Sequence, residues 1–384
     1  MTLSLTDAHE LSQSDIRNMS LKCDAVKGIN LSQGICDLQT PAQVLDGAAR
    51  AISAGENFYT RYDGISQLRE AISKKLRKYN NVNADAEGEI VVSSGATGAL
   101  FSAMLALLKR GDGVLLFEPF YGYHLHTLHA LGLNPVFVKT SPPDWEFGME
   151  EFEAAASKCK AVLINTPCNP SGKVFSKEEL SAISEVCRRK NLIVFTDEIY
   201  EYFVYGGRKH ISPASIEGML ERTVTISGYS KTFSITGWRV GYLACRKDWA
   251  QRAGHISDLL YVCAPSPLQW GVAAGINALP DSFYSDISSQ YLKKRDILCG
   301  ALSEAGLAPF VPQGAYYVLA DSSKLPGKDS SEKALWLLEK SGVAAVPGRA
   351  FFSGRQGDNL LRFCFAKEDA VLSEACGRLS ALRL

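Results

Sequence analysis

A lysine and an arginine lie eight residues apart in a stretch that carries no other charge, "SGYSKTFSITGWRVGYL" (residues 227–243). Lys231 stands among small hydroxylated residues, and Arg239 stands within a Gly-Trp-Arg-Val-Gly run. A lysine amine can form a Schiff base with an aldehyde, and a guanidinium is well suited to bind phosphate. A lone lysine is most often a solvated surface residue, so this interpretation depends on the residues that accompany Lys231.

Polar residues suited to ligand binding follow four apolar segments that are predicted to be strands. After these segments come Gly95-Ala96-Thr97-Gly98, Asn165 with Asn169, Asp197 with Tyr200, and Lys231. In an open parallel sheet, ligands bind beyond the carboxyl ends of the strands. We therefore expect these groups to meet at one edge of the sheet.

Together the groups match the chemistry of pyridoxal 5′-phosphate. Its aldehyde needs an amine such as Lys231, and its ring nitrogen needs a carboxylate such as Asp197 to remain protonated and accept electrons. Its ring oxygen needs hydrogen-bond donors, which an amide and a phenol supply. Its phosphate needs a cation, Arg239, and the free N–H groups at the start of the helix that follows Gly95.

The elements that must position these residues alternate between strands and helices from about residue 45 to 270. The predicted strands are "EIVVSSG" (89–95), "DGVLLFEP" (112–119), "KAVLINTP" (160–167), "NLIVFTDEI" (191–199) and "RTVTISGYS" (222–230). Continuous apolar strands of this kind are typical of a mostly parallel sheet that is covered on both faces. The helix after the third of them begins with a predicted capping box at Ser176 and Glu179.

Beyond residue 270 the pattern changes to a long helical stretch and two more strands, "GAYYVLAD" (314–321) and "LLRFCFA" (360–366). The predicted fold class is therefore α/β, with a second, smaller α+β domain. The large domain is expected to comprise residues 45–270, and the small domain residues 1–44 together with 271–384.

Composition indicates neither a nucleic-acid partner nor a membrane partner. The 384 residues are 46% hydrophobic, and 41 basic residues balance 41 acidic ones. No basic block suggests nucleic-acid binding, and the longest apolar run, "GALFSAMLALL" (98–108), is too short to cross a bilayer. The start of the chain lacks the apolar core of a signal peptide, so a cytoplasmic location is expected.

Cysteine and histidine residues do not predict a metal site. The ten cysteines contain no Cys-x-x-Cys pair, and buried or free thiols are expected rather than a disulfide framework. In "HLHTLH", His126 and His129 share a helix face, whereas His124 points elsewhere, and no cysteine or carboxylate lies beside them. All three are expected to be partly buried or surface histidines.

The chain also resembles the fold-type I pyridoxal-phosphate-dependent aminotransferases of class I/II over nearly its whole length. The motifs occur in the family's order: "NLSQGICDLQTP", "FYTRYDGISQLREAI", "SSGATGAL", "NTPCNPSG", "TDEIYEYF", "SKTFSITGWRVGY" and "LLRFCFA". Each motif is weak alone, but the ordered set is specific. The resemblance implies a ping-pong transfer of an amino group from an L-amino acid to a 2-oxo acid.

The resemblance also implies a role for each matching residue. Lys231 would bind the cofactor aldehyde and move the proton, Asp197 would pair with the ring nitrogen, and Tyr121 would stack on the ring. The ring oxygen would be bound by Asn169 and Tyr200, the phosphate by Gly95, Ala96, Thr97, Ser230 and Arg239, and the substrate α-carboxylate by Arg362, Asn169 and the Gly34 backbone. Singly, Asp197 could be a helix cap, Arg362 an ion-pair partner, and the tyrosines core residues.

Two positions within this pattern carry further implications. Tyr59 would reach the phosphate of the neighbouring subunit's cofactor, so a homodimer is expected. The family often has Ser or Thr three residues before the lysine, whereas this chain has Gly228. Either Ser227 or Ser230 would then supply the hydroxyl.

The substrate side chain is expected to be neutral, sulfur-containing or aromatic. "LLRFCFAKED" resembles the kynurenine, glutamine and methionine aminotransferases, and Thr97 stands where aspartate-using bacterial relatives commonly have lysine. Arg349, where the family more often has a small residue, could restore binding of acidic substrates.

Alternative functions are an aspartate-type aminotransferase and a cysteine-conjugate C–S β-lyase on the same scaffold. A cofactor-sensing regulator would need a DNA-binding module, and no basic patch precedes the first motif.

Overall fold

The computed structural model describes residues 15–36 and 38–382. Residues 1–14 of the expected small domain lie outside this part of the chain. The described residues form twelve α-helices, α1 to α12, which span Asp15–Ala25, Ala42–Ser53, Ser66–Lys75, Gly95–Leu107, Gly122–Ala130, Met149–Ala156, Lys177–Arg189, Lys247–Tyr261, Ser266–Ala278, Asp281–Glu304, Ser330–Ser341 and Asp369–Ser380. Among them, no helix is both long and apolar enough to cross a membrane.

The same residues form thirteen strands, β1 to β13. They span Ile29–Asn30, Ile90–Ser94, Gly113–Glu118, Asn134–Lys139, Ala161–Asn165, Ile193–Asp197, Thr223–Gly228, Val240–Ala244, Ala308–Phe310, Tyr317–Asp321, Val343–Ala344, Val346–Pro347 and Leu360–Cys364. Every strand predicted from the sequence is confirmed. Six strands were not predicted: β1, β4, β8, β9, β11 and β12. β8 belongs to the segment that was interpreted only as a binding motif.

A seven-stranded sheet with the order β2-β8-β7-β6-β5-β3-β4 forms the centre of the large unit. β4, β3, β5, β6 and β7 run parallel, whereas β8 is antiparallel to both of its neighbours. Alternate residues of the central strands enter two different cores: Leu163 and Phe195 pack on one face, and Ile164 and Val194 on the other. This burial on both faces explains the continuous apolar runs in the sequence and confirms the predicted α/β class.

A second, four-stranded antiparallel sheet has the order β12-β13-β10-β9. The N-terminal segment joins it, because β1 pairs in parallel with β11 and the Leu31 carbonyl accepts a hydrogen bond from the Cys364 N–H at 2.8 Å. α9 spans the expected boundary at residue 270 and packs against α2 and α3 of the large unit.

The predicted capping box at the start of α7 is present. The Ser176 hydroxyl accepts from the Glu179 N–H at 3.2 Å, and the Glu179 carboxylate accepts from the Ser176 N–H at 2.9 Å. The residues on either side, Phe175 and Leu180, are buried in the same core and fix the entry of the chain into the helix.

We predict that Ser176→Ala lowers the free energy of unfolding by about 1 kcal/mol, because the Glu179 N–H in the first turn loses the hydroxyl that accepts its hydrogen bond. Denaturation by urea, followed by circular dichroism, measures the change. Ser289→Ala is the matched control, since the Ser289 hydroxyl only bonds the Ser285 carbonyl within its own helix at 3.3 Å. An equal effect of both substitutions would contradict the capping role.

Candidate active site

Most of the residues predicted for the site surround one cavity of about 490 Å³ at the carboxyl ends of the parallel strands. The predicted residues that line it are Gly34, Ala96, Thr97, Tyr121, Asn169, Asp197, Tyr200, Ser230, Lys231, Arg239 and Arg362. The N-terminal segment, the large sheet and the small sheet all contribute to this lining. The site therefore lies between the two units, and neither unit forms it alone.

The Lys231 amine donates a hydrogen bond to the Gly34 carbonyl at 3.1 Å. Burial in the cavity lowers the pKa of Lys231 from its ordinary value, and the nearby Arg239 lowers it further, while Cys36, Cys364 and Asp197 act in the opposite direction. A lowered pKa raises the fraction of neutral amine, which is the nucleophilic form.

Asp197 ends β6, and its carboxylate is held from two sides. One oxygen lies 2.9 Å from the His124 Nε2 atom, and the other accepts from the Ile199 N–H at 3.2 Å. His124 is 3% exposed, lies on α5 and is itself one of the residues that line the cavity. The sequence interpretation of His124 as a histidine without a carboxylate beside it was therefore wrong, because its partner is distant in the chain and adjacent only in the fold.

An anion cradle forms where β2 ends and α4 begins. Gly95 has a φ of +73°, and a Cβ atom added there would lie 2.3 Å from an Arg239 guanidinium nitrogen. Only glycine allows this close approach. Arg239 itself has a φ of 57°, a conformation that costs free energy and is concentrated at ligand sites. The guanidinium thus lies beside the free N–H groups of the first turn of α4.

The two serines near Lys231 differ in their surroundings. Ser230 lines the cavity, whereas the Ser227 hydroxyl contacts the Glu198 carbonyl at 3.3 Å and the Glu201 carboxylate at 3.1 Å on the inner side of β7. Gly228 has no room for a side chain, since a Cβ atom would lie 2.9 Å from the Gly241 Cα atom. Of the two candidates, only Ser230 has its side chain at the cavity.

Arg362 is completely buried on β13. Its guanidinium donates to the Asn169 side-chain oxygen at 2.8 Å and to the Ser32 carbonyl at 2.6 Å, and it lies 4.2 Å from the centre of the Tyr317 ring. Its Nε atom has no partner, and no described carboxylate pairs with it. A buried cation without a counter-ion is costly, so this site is suited to receive an anion.

Tyr317 is a site residue that the sequence analysis treated only as part of a strand. Its hydroxyl lies 3.1 Å from the Tyr200 hydroxyl, and a Cβ atom at Gly34 would lie 1.9 Å from the same oxygen. Burial raises the pKa of Tyr317 to about 12 and also raises the pKa of Tyr200. Both phenols are therefore neutral hydrogen-bond donors at physiological pH.

Two residues named from the sequence lie apart from the cavity. Tyr59 is 84% exposed and lines a separate surface depression. Arg349 is bound to the Asp329 carboxylate at 2.6 Å at the start of α11.

A second group of buried acids lies behind the site, where Glu198, Glu201 and His210 bring ligand-type atoms within 4.8 Å of one another. Protein donors already occupy both carboxylates. His210 lies 2.8 Å from Glu198, and the Lys75 amine lies 2.5 Å from Glu201. This network fastens α3 to the strands that carry Asp197 and Lys231.

Relatives of known identity share this architecture. The chain is 35% identical over 376 residues to a probable N-succinyldiaminopimelate aminotransferase of Mycobacterium tuberculosis (95% of this chain and 94% of the relative). It is 32% identical to human kynurenine–oxoglutarate transaminase 3 (98% and 90%) and 31% identical to the methionine aminotransferase of Escherichia coli (97% and 97%).

A solved structure and a family model indicate the same family. The N-succinyldiaminopimelate aminotransferase of Mycobacterium tuberculosis superposes with a TM-score of 0.94 at 34% identity, covering 99% of this chain and 100% of that one. The family model for aminotransferase class I and II matches residues 26–379. The chain therefore belongs to the class I and II aminotransferases, fold-type I enzymes that use pyridoxal 5′-phosphate to transfer amino groups.

Proposed function

We propose that this enzyme transfers the amino group of a neutral, sulfur-containing or aromatic L-amino acid to a 2-oxo acid, with Lys231 and Arg362 at the centre of its site. The observation that carries the proposal is the presence of two groups in one cavity: an amine with a lowered pKa, and a buried guanidinium that no carboxylate of the described residues pairs with. The guanidinium suits an α-carboxylate, which it can bind in bidentate geometry.

The residues present fit pyridoxal phosphate. The close contact of Gly95 with Arg239 at the start of α4 supports a phosphate site at Gly95, Ala96, Thr97, Ser230 and Arg239. Bound there, the cofactor would supply an aldehyde for amines and a ring that accepts electrons. Asp197, which His124 holds in place, would keep the proton on the ring nitrogen, and Tyr121 would cover the ring face.

The remaining polar groups divide between ring oxygen and substrate. Tyr200 and the amide of Asn169 would donate to the ring oxygen, while Asn169 also orients Arg362 through their 2.8 Å hydrogen bond. Arg362, Asn169 and the Gly34 backbone would then fix the substrate α-carboxylate. Lys231, as a neutral amine, would remove the proton from the substrate α-carbon and return it at the cofactor carbon.

We predict that Lys231→Ala abolishes transamination, because the same amine anchors the cofactor and moves the proton; the loss of rate is expected to exceed 10²-fold, the contribution of acid–base catalysis alone. Single-turnover mixing with an amino donor measures the rate, and the visible absorption of the bound cofactor measures the covalent attachment. Lys74→Ala is the control, because the Lys74 side chain is exposed. The neighbouring Lys75 is not used, because its buried ion pair with Glu201 supports the fold. Retention of the wild-type absorption band in Lys231→Ala would overturn the assignment.

The preference for a neutral side chain rests on the groups beside the α-carboxylate site. The lining includes Ile16, Leu100, Tyr121 and Tyr123, and Arg349 is engaged by Asp329. Burial of an apolar side chain there gains about 1.5–3 kcal/mol. The names of the human and Escherichia coli relatives, a kynurenine transaminase and a methionine aminotransferase, support the same substrate class.

We therefore predict that methionine, glutamine or an aromatic amino acid exceeds aspartate in kcat/KM as the amino donor. A panel of L-amino acids, scored by conversion of the bound cofactor to its amino form, measures this. Pyruvate release from a cysteine conjugate without any 2-oxo acid would reveal an accompanying β-lyase activity. A tenfold preference for aspartate would contradict the proposed substrate class.

We propose a homodimer in which Tyr59 completes the phosphate site of the partner subunit. The Tyr59 side chain is exposed on the surface and does not line the cavity of its own chain. Four apolar residues are exposed as well: Phe58, Leu259, Leu260 and Val262. Exposed apolar residues of this number favour an interface with a second copy.

A cytoplasmic location is proposed on the sequence pattern. The same pattern supports a division into a large domain of residues 45–270 and a small domain of residues 1–44 and 271–384, although α9 is better grouped with the large unit.

Two mixed dimers with the same lesions in different distribution test the shared site. A dimer of Tyr59→Phe with Lys231→Ala subunits is expected to contain one intact site, whereas a dimer of wild type with the double variant contains none. Differently tagged subunits allow each mixed dimer to be purified. Higher activity of the dimer of wild type with the double variant would show that Tyr59 acts within its own chain, and equal activity would show that Tyr59 contributes to neither site.

A further inference from the structure

A second cavity, of about 630 Å³, lies outside the active site and shares none of its lining residues. Its walls are α3 with the π-helical turn Leu76–Asn80 that continues it, the segment that follows β6, the end of α9 and the start of α10. A volume of this size is typical of small-molecule sites. Turns of π-helix are rare and occur frequently at functional sites, which makes this cavity a candidate for ligand binding.

The lining of the second cavity is strongly basic. Five of its side chains carry a permanent positive charge: Lys74, Lys75, Lys78, Arg208 and Lys209. Two carboxylates offset them, Asp281, which is the one acid among the described lining residues, and Glu201, which is the partner of Lys75. Five positive and two negative groups leave a net charge of +3, in a chain whose formal net charge is zero.

The carboxylates engage only two of the five cations, with Nζ–O distances of 2.5 Å in both pairs. The other three, Lys74, Arg208 and Lys209, are exposed, and their side chains have no hydrogen bond or ion pair with any residue in the described part of the chain. Positive charges held together around a cleft repel one another and attract anions. The second cavity is therefore suited to a ligand with several negative charges.

A tight turn holds Arg208 and Lys209 at the cavity. Gly206 and Gly207, which precede them, have φ values of +66° and +73°, in the left-handed region that favours glycine. His210, which follows them, also lines the cavity but is only 8% exposed, and a buried carboxylate lies 2.8 Å from its Nε2 atom. Its Nδ1 atom is buried without a partner among the described residues. The two cations are thus fixed to the wall beside a polar group that is not yet satisfied.

A row of three tyrosine rings forms another part of the lining. The Tyr202 ring lies between those of Tyr79 and Tyr284, with ring centres 4.5 and 4.6 Å away. Tyr79 is 42% exposed, and the Lys75 amine lies 5.7 Å from the centre of its ring. Aromatic side chains combined with a positively charged groove are typical of nucleotide binding, because the base stacks on a ring while the cations bind phosphate.

We propose that the second cavity binds a nucleoside diphosphate, with the base against the Tyr79 ring and the phosphates at Arg208 and Lys209. A guanidinium binds phosphate oxygens in bidentate geometry, and a lysine amine adds a point charge. The other lysines of the lining strengthen the positive potential of the cavity. Inorganic phosphate alone would leave the tyrosine rings unused, whereas a nucleotide uses both parts of the lining. This inference does not depend on the proposed amino-group transfer.

The first test measures the binding of ADP to the holoenzyme by calorimetry. The wild type is expected to bind one ADP per chain, with an affinity that falls as the salt concentration rises. The double variant Arg208→Gln, Lys209→Gln is expected to bind ADP at least about tenfold more weakly, because both phosphate contacts lose their charge. Arg77→Gln is the matched control, since Arg77 is exposed on the π-helical turn but does not line the cavity. Absence of ADP binding to the wild type, or equal affinity in the double variant, would overturn the proposal.

The second test separates the two parts of the ligand. ADP is expected to bind at least about tenfold more tightly than adenosine or inorganic pyrophosphate, because only ADP uses both the rings and the cations. Tyr79→Leu is expected to weaken the binding of ADP and to leave that of pyrophosphate unchanged. Tyr79→Phe is its control and is expected to bind ADP as the wild type does, since it keeps the ring and removes only the 3.0 Å hydrogen bond to the Glu201 carbonyl. Equal affinities for pyrophosphate and ADP would show a site without a place for the base and would overturn the nucleotide assignment.

Discussion

The buried guanidinium of Arg362 is the interaction on which the site depends. A cation in a core must be surrounded by acceptors, and here the acceptors come from distant segments: the Ser32 carbonyl and the Asn169 side chain. The rings of Tyr317 and Phe351 cover its faces at 4.2 and 5.0 Å. Satisfying this one cation therefore fastens the N-terminal segment, the large sheet and the small sheet to one another.

The same constraint gives the cavity its electrostatic character. Arg362 uses neutral acceptors, so its positive charge is not cancelled by a described carboxylate and remains available to a ligand. Arg239 adds a second positive group at the start of α4. Among the described residues of the lining, Asp197 is the single acid, and His124 holds it so that it faces a defined position. The two guanidinium groups and the carboxylate thus lie at separate places in the cavity, as the proposed binding of a substrate carboxylate, a phosphate and a ring nitrogen requires.

The cations of the cavity differ in burial. Arg362 is rigidly held and suits the carboxylate that every amino and 2-oxo acid carries. Arg17 is exposed and has no partner among the described residues.

The sequence by itself determined the α/β fold and the strands that lead to the cavity, because strand hydrophobicity is a local pattern. It also predicted that Lys231, Asp197 and Arg362 belong to one site, and all three line the same cavity. It also determined the capping box at Ser176, which depends on four consecutive residues. The antiparallel strand β8 was missed because its residues directly follow Arg239 and were interpreted only as part of the binding motif. Only the tertiary structure decided that His124 contacts Asp197 and that Tyr317 contacts Tyr200. It also decided which residues line the cavity: Ser230 and not Ser227, and Arg17 and not Arg349. Each of these depends on contacts between residues far apart in the chain, whose side-chain directions are set by packing and leave no local signal in the sequence.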